Sequence, residues 1–381
     1  MQKLRIMYFQ QNLAVGSCEE YFYLLMEGHD KAKFNVTFVC PQDSVFDSLV
    51  TRLEALNVKV HRYSLETGNY RLILHLRSLF RQLRPALVHI NDPCLCGIIA
   101  SRLAGVPVLL MTHHTPELNR KYNWKARLLE KLAFRYCGLY VIFNSKYDKD
   151  TGIKKDKIPP ERSFVINYGL PPDKFSQKYN KKEIYDEFSL AEECRIIGNI
   201  ARLSPQKGQK YLIEAASTVI EQFKSVRFFF VGEGELESEL KAEVQEKGLE
   251  DYFVFTGYRT DVPRLLNVFE MFVMPSLFEG LCFAVIEASA MGIPVIATAV
   301  GGLRRSVADG KTGLLIPPAD SQALARAILW MLGHPQEAKE MGLAGQQYFA
   351  EWFTQEQMMK KTEELYESIL GKLEFSKKCI T

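Results

Sequence analysis

The feature that most constrains this chain is a rhythm of short apolar runs. Runs of strand length recur at residues 4–9, 35–40, 58–63, 86–90, 106–111 and 139–143, each followed by a segment long enough for a helix. A stretch dense in turn formers, Asn167-Tyr168-Gly169-Leu170-Pro171-Pro172-Asp173, interrupts it. The rhythm then restarts at 195–201, 226–231, 252–255, 271–274, 294–298 and 313–316. Alternating strands and helices build parallel sheets covered on both faces. The chain is therefore expected to be α/β, with two Rossmann-like halves in series and a cleft between them. At 381 residues it exceeds the size at which single cores stop growing, which independently favours two domains. The turn-rich stretch sets the expected boundary at 172/173, and helices at 319–332, 335–350 and 354–373 are expected to close the chain.

A net charge of +3 hides an asymmetry between the halves. Residues 1–172 carry 24 Lys and Arg against 15 Asp and Glu, or +9, whereas residues 173–381 carry 24 against 30, or −6. The first half is thus expected to meet something anionic. Its most basic stretch, residues 119–135, holds six cations against one acid, Glu130. There Trp124, Leu128 and Leu132 recur at helical spacing, as do Arg127, Lys131 and Arg135. The segment reads either as an interfacial helix for an anionic membrane or as a core-facing helix with a solvated basic edge. The eight cysteines include no CxxC pair and no His spacing of a zinc site, which fits reduced thiols in a cytosolic protein. The apolar run at 6–9 stops at Gln10-Gln11-Asn12, too short for a signal peptide. No run approaches the length of a spanning helix. The expected location is cytoplasmic, with attachment to the inner membrane face left open, and no nucleic-acid partner is expected.

In open parallel sheets, ligands sit beyond the carboxyl ends of the strands, where the following helices present unpaired N–H groups. Several strand ends here carry suitable chemistry. After 195–201 comes a turn flanked by Arg202 and Lys207, which suits a diphosphate because arginine offers a planar fork and lysine a point charge. Gly232-Glu233-Gly234 follows the next run and Gly257-Tyr258-Arg259 the one after, both small-residue loops of the same kind. The richest stretch follows 271–274: Glu279 falls in a loop, and Glu287 lies roughly 12 Å further along the expected helix axis. Ala284, Val285, Ile286, Ala288, Ala290 and Met291 crowd Glu287 in sequence, so a charge there needs a partner or a ligand. In the first half, Gly16 would let a ligand approach the backbone closely. His113-His114 sit at a strand end, open to acid–base work, ligand contact or a plain loop role. Asp148-Lys149-Asp150 resembles a metal string but falls inside an expected helix at 144–152, and is read as solvated surface.

Jointly these stretches resemble the family-4 retaining glycosyltransferases, which have the GT-B fold. The resemblance rests on Val15-Gly16-Ser17, Thr112 to His114, Asn144-Ser145, the stretch 165–175, ARLSPQKG at 201–208, VGEGE at 231–235, FTGY at 255–258, the E-x7-E spacing and GGLRRSVADGKTGLLIPPAD at 301–320. It implies transfer of a sugar from a nucleotide-diphosphate sugar, UDP rather than GDP, to an acceptor hydroxyl with retention, using no metal or other cofactor. The acceptor would be a glycan or lipid-linked glycan of bacterial-type surface polysaccharide or glycolipid synthesis. Arg202 and Lys207 would hold the diphosphate and Glu287 the ribose. Glu279, with the N–H groups of Gly280, Leu281, Cys282 and Phe283, would hold the transferred sugar and its phosphate. Gly232 and Tyr258 would belong to the donor loops, the latter against the base. Gly16 would approach from the opposite half, and His114 matches the family's Thr-x-His histidine on the catalytic side. The closing helix, from about residue 354, would cross back and complete the first domain.

Two departures stand out. The family's second opening glycine is Ser17 here, and Arg304-Arg305 stand where the family places an acid, adding cations that could touch donor phosphate or an anionic acceptor. Alternatives are a nucleotide-sugar epimerase of the same fold and a non-catalytic nucleotide-sugar-binding subunit. A dehydrogenase is disfavoured because no G-x-G-x-x-G follows the first strand.

Overall fold

The computed structural model describes residues 3–11, 13, 16–65, 69–114 and 124–378, without the side chains of Ser17, 124–127 and 373–378. Val15, residues 115–123 and Cys379 thus lie outside the described residues, and with them part of the expected opening loop and basic stretch.

In chain order the first part runs β1 (Leu4–Gln10), α1 (Ser17–Gly28), β2 (Phe34–Pro41), α2 (Asp47–Ala55), β3 (Lys59–Tyr63), α3 (Asn69–Leu83), β4 (Leu87–Asn91), α4 (Leu95–Ala104), β5 (Val108–His113), α5 (Trp124–Tyr136), β6 (Tyr140–Phe143), α6 (Lys146–Asp156) and β7 (Ser163–Val165). The second runs α7 (Lys181–Glu187), β8 (Arg195–Ile200), α8 (Gln209–Gln222), β9 (Val226–Val231), α9 (Glu237–Glu246), β10 (Phe253–Gly257), α10 (Val262–Leu266), β11 (Phe269–Met274), α11 (Phe283–Ala290), β12 (Val295–Thr298), α12 (Leu303–Ser306), β13 (Gly313–Ile316), α13 (Ser321–Gly333) and α14 (Pro335–Trp352). A final helix, α15 (Gln355–Lys378), belongs with the first part. The two compact units are Met1–Gly169 with Gln355–Thr381, and Leu170–Thr354.

Each unit holds one wholly parallel sheet. Among the described residues, unit 1 has seven strands in the order β3-β2-β1-β4-β5-β6-β7, and unit 2 has six in the order β10-β9-β8-β11-β12-β13. The central strands β4 and β5 are buried along their whole length, as continuous apolar runs in a doubly covered sheet should be. In unit 2 neighbouring residues divide between two cores. Ile197, Phe228, Val273 and Ile296 pack on one face, while Ile196, Phe229, Phe272 and Val295 pack on the other. Both orders reverse direction at one place, between β1 and β4 in unit 1 and between β8 and β11 in unit 2. Such switch points leave a crevice at the strand ends, the usual ligand position in open α/β sheets.

Helix α15 is tied to sheet 1 by a buried polar chain. Glu363 meets His29 Nδ1 at 3.0 Å, His29 Nε2 meets the Tyr8 hydroxyl at 2.5 Å, and Tyr8 meets the Tyr366 hydroxyl at 2.9 Å. Tyr366 meets His89 Nδ1 at 2.6 Å, and His89 Nε2 meets Thr112 Oγ1 at 2.7 Å. Burial holds His89 well below its usual pKa, so the ring is neutral and each nitrogen takes one role.

Three expectations need correction. β7 was not anticipated, because three residues of mixed polarity give no periodic signal. Strand β5 extends to His113, so that histidine lies in the sheet and not in a loop. Asp148 is buried, not solvated: its backbone N–H bonds to Ser145 Oγ at 3.1 Å, and the Ser145 hydroxyl donates to its carboxylate at 2.6 Å. This caps the start of α6. Only Asp150 is the surface acid expected, paired with Lys146 at 2.8 Å.

Candidate active site

The switch point of unit 2 brings the cationic loop after β8 against the acidic loop after β11. Backbone and side-chain bonds fasten the two together. Leu277 N–H donates to Gln206 O at 2.8 Å, and Gln206 Nε2 donates to Phe278 O at 3.1 Å and to Glu279 Oε2 at 2.8 Å. The Lys207 ammonium donates to Glu279 Oε1. Glu279 is only 6% exposed, so its charge is matched by a lysine that is itself largely enclosed. Burial alone would lower the Lys207 pKa, but the adjacent Glu279 carboxylate outweighs it and holds the ammonium above its ordinary value.

The loop bearing Glu279 is backed by Gly301-Gly302. A β-carbon on Gly301 would stand 1.8 Å from Glu279 O, and one on Gly302 would stand 2.5 Å from Gly280 O. Gly302 N–H instead donates to Glu279 O at 3.0 Å. Glycine is therefore required sterically, and the loop is pressed into one shape. Leu281, Cys282 and Phe283 are buried, and α11 starts from Cys282 with no side-chain cap. Its positive helix end is a suitable place for an anion. Burial pushes the Cys282 thiol up to about 12, which makes it an inert wall group.

The structure places the other expected residues as follows. Arg202 is exposed beside this pair, with no ion pair or side-chain hydrogen bond among the described residues, and its charge is felt at Lys207. Glu287 lies on α11 with Lys174 Nζ 3.9 Å away, a cation that sequence reading did not connect with it. Gly232 N–H donates to Gly257 O at 2.9 Å, which joins the loops after β9 and β10. Tyr258 is 71% exposed, a ring open to stacking. Arg259, in contrast, is engaged by Asp261 at 2.8 and 2.7 Å and by Glu187 at 2.9 Å.

Arg305 does not turn toward any of these loops. Its guanidinium lies over Trp352, Tyr348 and Phe353 at 4.4, 5.2 and 5.6 Å from the ring centroids. Of the two added arginines that could touch donor phosphate or an anionic acceptor, Arg305 is surrounded by three rings of α14 and its end. Arg304 remains exposed.

In unit 1, Gly16 takes φ of +122° at the start of α1, a backbone that other residues rarely adopt. His114 is buried at the end of β5 with both ring nitrogens engaged. Nε2 meets Asn91 Oδ1 at 2.6 Å, while Nδ1 accepts from Asn144 Nδ2 at 3.2 Å and faces the Tyr168 hydroxyl. The Asn144 amide fixes the tautomer, with the proton on Nε2. Asn91 in turn donates to Gln10 Oε1 at 3.0 Å and Cys18 O at 3.1 Å, closing the floor of this unit's switch point.

The chain matches two sequence families in series. Residues 18–174 fit Glycosyltransferase Family 4, and residues 180–348 fit Glycosyl transferases group 1. An Escherichia coli UDP-Gal:alpha-D-GlcNAc-diphosphoundecaprenol alpha-1,3-galactosyltransferase is 31% identical over 271 residues, covering 68% of this chain and 69% of that one. The chain is a family-4 glycosyltransferase. A 2-deoxystreptamine glucosyltransferase from Streptomyces kanamyceticus is likewise 31% identical, over 73% of this glycosyltransferase and 75% of its own length. The fold matches that of Anabaena HepE in complex with UDP-glucose, with a TM-score of 0.85, 22% identity, and coverage of 96% of this chain and 100% of that one. The glycosyltransferase thus has the GT-B type of fold, two α/β units with parallel sheets.

Proposed function

We propose that this glycosyltransferase moves a sugar from a UDP-sugar to a hydroxyl of a lipid-diphosphate-linked glycan, with retention at the anomeric carbon and without a metal. The observation that carries this is the unit 2 switch point: an enclosed Lys207–Glu279 pair, an unengaged Arg202 and an uncapped helix start at one strand edge. Charge develops on the leaving diphosphate, and preorganised cations and N–H groups stabilise it without reorganisation. Arg202 and Lys207 take the diphosphate, the 280–283 loop takes the phosphate nearest the sugar, Glu279 orients Lys207 and the transferred sugar, Glu287 takes the ribose, and Tyr258 stacks on the base. Within unit 1, Gly16 leaves room for a ligand at the start of α1, and His114 orients the Asn91 edge of that unit's own switch point. These side chains and N–H groups supply the positive charge that a metal provides elsewhere. The E. coli relative supports UDP and a lipid-diphosphate acceptor.

Helix α5 supports work at an anionic membrane surface. Leu128, Leu129, Leu132 and Tyr136 are 44–76% exposed, beside exposed Arg135, while Ala133 and Phe134 face inward. An apolar stripe turned outward and flanked by cations suits a lipid surface better than a core. No helix among the described residues is long and apolar enough to cross a membrane.

A thermal-shift panel of nucleotides and nucleotide sugars, followed by transfer assays on a short-chain GlcNAc-diphospho-lipid, tests the reading. UDP should raise the melting temperature more than GDP, and the product should keep the donor's anomeric configuration. An inverted product, or a donor sugar epimerised with no acceptor present, refutes it. Equal affinity for anionic and neutral vesicles at low salt refutes the membrane assignment.

A further inference from the structure

The amino edge of sheet 1 holds a cavity that none of the roles above uses. It measures about 600 Å³, a size suited to a small ligand, and lies wholly in unit 1. Arg5, Arg81 and Arg84 line it beside apolar walls that include Pro85, Ala86 and Pro107, and none of the residues lining it is acidic. The entries of three adjacent strands fix its backbone. The Ala86 N–H donates to Arg5 O at 2.8 Å ahead of β4, and the Val108 N–H donates to Ala86 O at 3.3 Å as β5 begins. Along β1, Arg5 stands five residues before Gln10, which holds Asn91 at the carboxyl edge; that is roughly 16 Å at about 3.3 Å per residue. The cavity and the switch point of unit 1 are thus separate places on one sheet.

Arginines near helix ends often do no more than face the backbone carbonyls there, and α3 and α4 both end at this cavity. Here other cations already fill that role. Arg77 Nε donates to Leu103 O at 3.2 Å, and Arg102 Nη1 donates to Val106 O at 3.2 Å while its other nitrogens reach Cys137 O and Gly138 O. Arg5, Arg81 and Arg84 are exposed and have no ion pair or side-chain hydrogen bond among the described residues. Each helix end carries about half a negative charge, so the two together offset only about one of the three positive charges. A cavity of this volume is about 10 Å across if rounded, comparable with the screening length at moderate salt, so the remaining charges repel one another. An excess of about two positive charges is what one phosphate monoester neutralises.

We propose that this cavity binds a phosphate ester, as a second anion site apart from the switch points of both sheets. The guanidinium groups grip the phosphate oxygens as planar forks, and the proline and alanine walls take an apolar organic part. The excess positive charge of residues 1–172 thereby has a definite place to act. The ester is either soluble or the head group of a lipid at a membrane surface, and two probes separate these sources. The site is independent of the donor assignment in unit 2, so failure of one leaves the other untouched.

Calorimetric titration of the full chain with inorganic pyrophosphate at low salt probes the soluble source. Co-flotation with phosphatidylcholine vesicles, with or without phosphatidic acid, probes the lipid source. Arg5→Gln, Arg81→Gln and Arg84→Gly are compared with the wild type. Arg84 has φ of +49°, which glycine adopts readily, so Arg84→Gly removes the cation and keeps the end of α3. Arg71→Gln removes an equal charge from the same helix outside the cavity, and Lys207→Met disables the candidate diphosphate loop of unit 2. Each cavity variant should weaken binding of at least one probe by about tenfold or more, because bonds to charged groups are lost, with Arg71→Gln unchanged. Lys207→Met should keep any pyrophosphate equivalent that the cavity variants lose. Phosphatidic acid vesicles held through the cavity arginines assign a lipid head group; pyrophosphate held through them, with vesicle binding unchanged, assigns a soluble ester. The proposal is overturned if the wild type binds neither probe, if the cavity variants bind both as the wild type does, or if Arg71→Gln loses as much as they do.

Discussion

The Lys207–Glu279 pair makes the sharpest prediction, because its two members fail differently when separated. Lys207→Met removes the ammonium and leaves the Glu279 carboxylate enclosed, with the Gln206 side-chain amide still donating to it at 2.8 Å from the neighbouring loop. Deleting one partner of a buried pair costs about 3–5 kcal/mol, because the other charge stays buried. Gln206 keeps the cost near the low end, about 3 kcal/mol, which for a unit of this size lowers the melting temperature by about 6–12 °C. Adding Glu279→Gln removes the stranded charge, so the double variant should regain most of the loss, with a coupling of about 2 kcal/mol in the cycle. Activity should not return with it. Losing one preorganised stabiliser of the leaving charge costs about 10²–10³ in kcat. The assay combines denaturant unfolding of the four proteins with transfer rates at saturating donor. Additive stability effects, or near-normal turnover by Lys207→Met, would refute both the pairing and the diphosphate assignment.

Gly302→Ala should destabilise unit 2 and abolish transfer together, since its β-carbon would meet Gly280 O at 2.5 Å; a stable variant with weakened UDP affinity alone would show that the loop yields. Arg305→Met should lower stability by about 1–2 kcal/mol through loss of its aromatic cage while UDP affinity holds, and Arg304→Gln should do neither. For Glu363, burial raises the pKa, but the hydrogen bonds from His29 and the Asp30 N–H overcome this and leave it below its ordinary value. A depressed carboxylate stabilises the fold above its unfolded pKa and loses that contribution as pH falls through the folded value. Acid titration of stability should therefore be flatter in Glu363→Gln below pH 4.5 than in the wild type, and parallel curves would deny the pairing. Cys282, its thiol pushed up to about 12, should resist iodoacetamide at neutral pH in the folded protein and react on unfolding.

The alternation of apolar runs made both parallel sheets legible, because continuously buried strands such as β4 and β5 leave an unbroken apolar signature. The loops after β8 and β11 were also legible, since cations and acids at strand ends have few structural reasons to be there. What the sequence hid was pairing at long range. Nothing local reveals that Lys174 approaches Glu287, that Arg305 is enclosed by rings more than 40 residues away, or that Asp156 shares His113 with Asp92. The buried role of Asp148 was missed for a different reason: a capping serine three residues before it outranks the appearance of a metal string.

The buried chain from Glu363 to Thr112 bears on how the protein can be taken apart. A fragment ending at Gly169 would carry Tyr8, His29 and His89 without the hydroxyl and carboxylate that join them, and unmatched polar groups in a core are costly. The tail from Gln355 onward is therefore a complementing fragment for a unit begun more than 300 residues earlier. Supplied as a separate peptide, it should refold onto residues 1–169, so that a split version of unit 1 can be assembled from two pieces that never shared a ribosome.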